Sequence, residues 1–161
     1  MAIFDTAKEK ELLKELKKMK TPYDKHFVYI ELQDFYYKYR DIDIKYLKLC
    51  EEYCLKDIEA LGAIEQGYID EQVAMITKYI DIRDDVANDL AEIQQVKEDG
   101  FYGYIPAFKR LAIIEEKREN YAKAMLYCDI AIRWYSAHKI NEYTEEFKKR
   151  KMKLYKKISK S

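Results

Sequence analysis

An all-α fold is what this sequence predicts, and three observations predict it. Glycine and proline are scarce, at 4 and 2 of 161 residues, so the turn formers of a many-stranded sheet are lacking. Charged residues make up 37%, which suits long helices with one solvated face. Apolar side chains recur at spacings of three and four, with cap-forming residues between the runs. Hydrophobic residues reach 48%, helped by 16 tyrosines, so the chain has the material for a packed core. Its length fits a single domain, 1–161, of about seven or eight helices.

Asp5 can cap a first helix over 5–19, where Leu12, Leu13, Leu16 and Met19 form a narrow stripe that needs a cover. Thr21–Pro22–Tyr23–Asp24 is a strong helix start. Thr21 accepts backbone N–H bonds, Pro22 loses nothing by lacking its own, and Asp24 favours the positive helix end. The helix opened there runs to about Tyr39. Its aromatic and β-branched content makes a strand the rival reading, but the cap and the lack of sustained alternation favour helix.

Asp41–Ile42–Asp43 makes a turn. The next helix carries Leu47, Cys50, Cys54 and Ile58 on one face and ends near Leu61, with Gly62 just past its end and Gly67 in a loop. Over 68–98, Ile69, Val73, Ile76 and Ile80 keep helical spacing, and Leu90 and Ile93 resume it after the charged Asp81–Ile82–Arg83–Asp84–Asp85. Two antiparallel helices meeting there are preferred to a single long one, with a long coiled coil as the rival. "DGFYGYIP", 99–106, breaks the helical pattern, with Phe101 and Tyr102 expected to fold back under the loop. Further helices are expected over 106–117, 121–136 and 142–158. The last carries Tyr143, Phe147, Leu154 and Ile158 on its apolar stripe, interrupted by Arg150 and Lys151.

The formal net charge is zero but unevenly spread. From Glu51 to Asp99, 14 acids stand against 4 bases, a formal balance of −10. From Lys148 onward there are 8 bases and no acid. A solvated face and tail explain this most simply. The sharper alternative is a basic patch of Lys148, Lys149, Arg150, Lys153, Lys156 and Lys157 that meets nucleic acid, a membrane surface or the acidic middle of another copy.

The apolar run at the N-terminus stops after Phe4, unlike a secretory signal, and no stretch approaches the ~20 apolar residues of a membrane span. Three cysteines without a disulfide-like framework fit a reducing, cytoplasmic setting. Cys50 and Cys54 are one turn apart, but no His or Cys elsewhere completes a ligand spacing, so they read as core thiols and no metal or cofactor is expected. No phosphate loop or nucleophile motif is present, so no catalytic residue is expected either.

In "PAFKRLAIIEEKRENYAKAMLYCDIAIRWY", 106–135, Phe108, Leu111 and Ala112 share one helix face, and Tyr121, Ala124, Cys128 and Ala131 share the next. Small residues seven apart, Ala124 and Ala131, let two helices approach closely, and Asn120 suits the turn by tolerating left-handed geometry. This segment resembles a tetratricopeptide repeat, the helix–turn–helix unit of about 34 residues. Glu115 departs from it, standing where the family has an aromatic residue, as do Ser136 near the usual proline and Cys128 in place of a larger ring. A weaker match lies upstream, with Tyr29, Leu32, Tyr36 and Tyr37 on one helix and Leu47 and Cys54 on the next.

The resemblance implies a short right-handed solenoid. Pairs at 22–61 and 106–136 flank an irregular middle, 68–98, with helices at 5–19 and 142–158 as caps. The fallback is a compact bundle with one repeat-like hairpin. The resemblance also implies a concave groove lined by Ile30, Asp34, Tyr37 and Lys38 from one pair and by Lys109, Ile113 and Glu116 from the other. Such a groove suits a non-catalytic adaptor that binds a peptide or protein segment, with a homo-oligomer as a further possibility. Ile113 occupies the polar site by which some family members clamp a terminal carboxylate, so that ligand is not expected. The alternative function is a regulator on nucleic acid or a membrane surface, acting through the basic C-terminal helix.

Overall fold

The protein is described by a computed structural model that covers residues 3–79 and 85–160. Among these residues it is all-helical, with eight helices and no strand: α1 Thr6–Lys18, α2 Pro22–Lys38, α3 Ile44–Glu59, α4 Leu61–Lys78, α5 Val86–Asp99, α6 Pro106–Lys117, α7 Tyr121–Ala137 and α8 Asn141–Lys160. The starts follow local chemistry. Asp5 accepts the Lys8 N–H, Thr21 the Asp24 N–H, Asp43 the Lys45 N–H and Asp85 the Asn88 N–H. The aromatic run is helix through Lys38, as its cap predicts, with Tyr39 as the C-cap. The middle holds two helices, α4 and α5, packed on each other; the expected interruption at Asp81–Asp84, and Ile80, lie outside the described residues.

Helix α2 is the hub, with α1, α3, α4 and α6 against it. From there α3 packs on α6, α6 on α7 and α7 on α8. The helix pairs therefore do not stack in chain order, as the sequence reading had them. The α4–α5 pair leaves to the side through α4, and the chain returns by the 100–105 loop to lay α6 directly on α3. One apolar core joins α1–α4, the loop and α6–α8, while α5 adds no apolar residue to it. The stripe of α1 finds its cover here. Leu12 is buried, Tyr36 donates its hydroxyl to Glu9 (2.7 Å), and Phe4 stacks on Tyr46 with ring centroids 4.3 Å apart.

Four expectations need correction. Gly62 and Gly67 lie inside α4, because α3 ends at Glu59 and α4 restarts at Leu61 after the single residue Ala60. Gly67 has a packing reason, since a Cβ there would sit 2.8 Å from the Cβ of Tyr23 on α2. We expect Gly67→Ala to cost about 1–3 kcal/mol by overpacking, despite alanine's better helix propensity; urea denaturation checks this. Tyr102 is exposed at 64%, and of the two rings only Phe101 is buried under the loop, against Tyr23, His26 and Tyr68. Leu90 is 56% exposed rather than core. The left-handed residue of the α6–α7 turn is Glu119 (φ 60°), not Asn120.

That last turn has a twin. After α6, the Asn120 N–H reaches the Glu115 carbonyl and Glu119 reaches Glu116; after α7, Ile140 reaches Tyr135 and Lys139 (φ 59°) reaches Ser136. Both are Schellman stops with a side chain where glycine usually sits. Glu119→Gly and Lys139→Gly should each stabilise by about 1 kcal/mol, because an L-residue in left-handed geometry costs about 1–2 kcal/mol, partly offset by glycine's unfolded-state entropy. Thermal melts of the two variants measure it.

Candidate functional site

Helices α2 and α6 lie side by side, and Tyr37 stands at their junction. The terminal turn of α2 brings Arg40 back over the Tyr37 ring, 4.0 Å from its centroid, while its Nη1 donates to the Tyr37 carbonyl (2.8 Å). From α6, Arg110 lies 4.6 Å from the same centroid, and Lys117 lies 5.7 Å away and donates to the Tyr37 hydroxyl (3.2 Å). Three cations thus converge on one half-buried ring, where cation–π attraction holds them. Arg110 also pairs with Asp34, which fixes α6 against α2.

Clefts open on both sides of the ring. One, of about 290 Å³, is lined by Tyr37, Tyr104, Pro106, Lys109, Arg110 and Ile113. The other, of about 510 Å³, lies between Tyr37, Arg40, Ile44, Leu47, Ile114 and Lys117. The first is shaped from beneath by Tyr135, whose buried hydroxyl accepts the Ile105 N–H (2.9 Å) and so sets the approach to Tyr104 and Pro106. Burial raises the Tyr104 phenol to about pKa 12, so it stays a neutral donor.

Of the groove residues predicted from sequence, the structure brings together Tyr37, Asp34, Lys109 and Ile113. Glu116 falls on the other side of α6, facing α8, where Lys157 (2.5 Å) and Arg150 (3.8 Å) meet it. Lys109 also reaches across to α8, pairing with Glu146 (3.5 Å). Lys38 turns away towards the Tyr39 ring, and Ile30, half-buried, lines neither cleft. Sequence reasoning missed Arg40, Arg110, Lys117 and Tyr104. Arg110 and Lys117 were accessible in principle, since they lie three before and four after Ile113 on the same helix.

Glu115, the departure from the repeat pattern, is buried and meets Arg118 (3.0 Å) and Lys123 (3.7 Å). Arg118 continues to Glu51 on α3. The hydrogen bond to Glu51, more than desolvation opposes, holds the guanidinium above its usual range. A carboxylate in place of an aromatic ring therefore ties the α6–α7 turn to α3. Both histidines also bridge helices. His26 Nδ1 donates to Asp57 (2.6 Å) with both groups buried, and His138 joins Glu65, whose carboxylate also accepts the Phe101 N–H (3.0 Å).

The basic C-terminal patch is not one surface. Arg150 and Lys157 face Glu116, and Lys151 holds Asp129 (2.7 Å). Cys50, Cys54 and Cys128 are free and buried; the contact with Cys50, then burial, pushes the Cys54 thiol up, and burial raises Cys128 to about pKa 11. Among the described residues no group of three or more His, Cys, Asp or Glu side chains is placed to hold a metal, and no helix is long and apolar enough to cross a membrane. Comparison with models of protein families, with curated proteins and with solved structures finds no match.

Proposed function

We propose that the chain is a short tetratricopeptide-like solenoid that binds a peptide or protein segment along the α2–α6 face and acts as an adaptor rather than a catalyst. In this reading α2/α3 and α6/α7 are two repeat units, α8 opens a third, and α4–α5 is an excursion between them. Support comes from α3 packing on α6 and α7 on α8, and from Ala124 and Ala131 buried on α7, the helix packed on α6. The three buried free thiols are in keeping with a reducing cytoplasm.

The observation that carries the functional reading is Tyr37, held by Arg40, Arg110 and Lys117 between two clefts. A ring fixed in place loses little entropy on binding, and tyrosine and arginine dominate recognition surfaces for that reason. The test is selection from a displayed library of random peptides on immobilised protein. The reading expects a related set of peptides to enrich on the wild type and to be lost on Tyr37→Ala. Enrichment of the same set on both proteins would dismiss the Tyr37 face.

A further inference from the structure

We propose that the packed helices α4 and α5 of one copy dock on the outer face of α8 of another, so that the chain associates with itself head to tail. The ion pairs of α8 sort its bases into two groups. Those facing inward are satisfied by Glu116 and Asp129. Lys149, Lys153 and Lys156, spaced four and three apart on one exposed stripe, have no carboxylate partner among the described residues, and Lys148 meets only Glu145 of its own helix. Beside that stripe stand Met152 and Tyr155, exposed at 58% and 57%. A shallow cleft of about 400 Å³ runs between Glu145, Lys148, Lys149, Met152, Lys153 and Lys156. The result is a basic surface with an apolar centre.

The opposite surface belongs to the same chain. Helices α4 and α5 carry seven acids against two bases, and of the seven Asp89 is buried and Glu65 meets His138. Helix α5 packs on α4 and adds nothing to the apolar core, so its far side is left to solvent. There and at the end of α4 stand Val86 (50%), Leu90 (56%) and Met75 (54%), large apolar side chains among acids such as Glu71. An acidic surface with apolar residues thus matches a basic surface with apolar residues. The lengths agree too, since the 14 residues of α5 span about 21 Å and the last 16 of α8 about 24 Å.

Nucleic acid or an anionic membrane would satisfy the lysines alone. A second copy satisfies both surfaces, covers the apolar residues of each, and needs no net charge, which for this chain is zero. The two patches differ, so the contact is heterologous, and a copy keeps one patch open after using the other.

Light scattering tests it with two single-face variants, Lys149→Glu/Lys153→Glu/Lys156→Glu and Glu71→Lys/Leu90→Lys. At low salt the wild type should exceed its 19.4 kDa chain mass, increasingly with concentration, and should return towards it at high salt. Each variant alone should remain at 19.4 kDa, and an equimolar mixture should reach twice that mass, because each supplies the face the other lacks. Should the lysine reversal impair folding, as judged by circular dichroism, Lys149→Gln/Lys153→Gln/Lys156→Gln takes its place, with at least a tenfold rise expected in the concentration for association. A wild type at 19.4 kDa under low salt overturns the proposal, as does a mixture that stays monomeric. So does a wild type whose mass is unchanged by the lysine variant while that variant loses binding to a DNA duplex or to phosphatidylserine vesicles.

Discussion

His26→Leu should cost the protein about 3 kcal/mol, as expected for leaving a buried carboxylate without its hydrogen-bond donor. His26 and Asp57 are 1% and 0% exposed, and their 2.6 Å contact joins α2 to α3. Leucine fills the space of the imidazole but leaves the Asp57 carboxylate buried without its donor. Its other oxygen, Oδ2, already lacks a partner, so no second donor stands ready. The double variant His26→Leu/Asp57→Leu should recover most of the loss, since two apolar side chains replace the pair without an orphan. Equilibrium urea denaturation of both variants measures this, and a single variant within about 1 kcal/mol of wild type would mean that the buried pair contributes little.

Tyr135→Ala should cost a similar amount, about 3–5 kcal/mol, by opening a cavity at the α6–α7–α8 junction. The side chain is fully buried, with Phe108, Phe147, Tyr104 and Tyr143 around it at centroid distances of 5.2–6.2 Å. Tyr135→Phe separates packing from hydrogen bonding. It keeps the ring and orphans only the Ile105 N–H, so its cost should fall to about 1–3 kcal/mol. Because that N–H fixes the approach to Tyr104 and Pro106, the phenylalanine variant should also loosen the smaller cleft, which faster amide hydrogen exchange at Tyr104 and Ile105 would report.

These two residues mark where the sequence was legible and where it was not. Helix starts were readable because Asp5, Thr21 and Pro22 act on their own first turns, and a local signal needs no knowledge of the fold. Helix ends were harder. Glu119 and Lys139 stop α6 and α7 in left-handed geometry without the glycine that would have announced it, and Gly62 and Gly67 gave a stop signal inside a helix. Gly67 answers to Tyr23, 44 positions away in sequence and adjacent in space.

The candidate site divides the same way. Tyr37, Lys109 and Ile113 followed from what the resemblance to a helical repeat implies for its groove. Arg110 and Lys117 keep helical spacing to Ile113, whereas Arg40 comes to the ring from beyond the end of α2, through a turn that periodicity does not describe. His26 and His138 read as isolated because their carboxylates, Asp57 and Glu65, lie 31 and 73 positions away. Glu115 was visible as an anomaly, and its partner Arg118, one turn on, was within reach of helical spacing, whereas Glu51 on α3 was not.

The central claim is that the Tyr37 face, rather than the charged outer surfaces, binds the partner segment. The affinity of a library-selected peptide, measured by calorimetry for wild type, for Tyr37→Ala and for Lys149→Glu/Lys153→Glu/Lys156→Glu, tests it most directly. Loss of an anchoring aromatic costs about 2 kcal/mol or more. Tyr37→Ala should therefore weaken binding at least about tenfold while its circular dichroism stays that of the folded protein, and the lysine variant should bind like wild type. Equal affinity of Tyr37→Ala and wild type, with loss only in the lysine variant, would contradict the account.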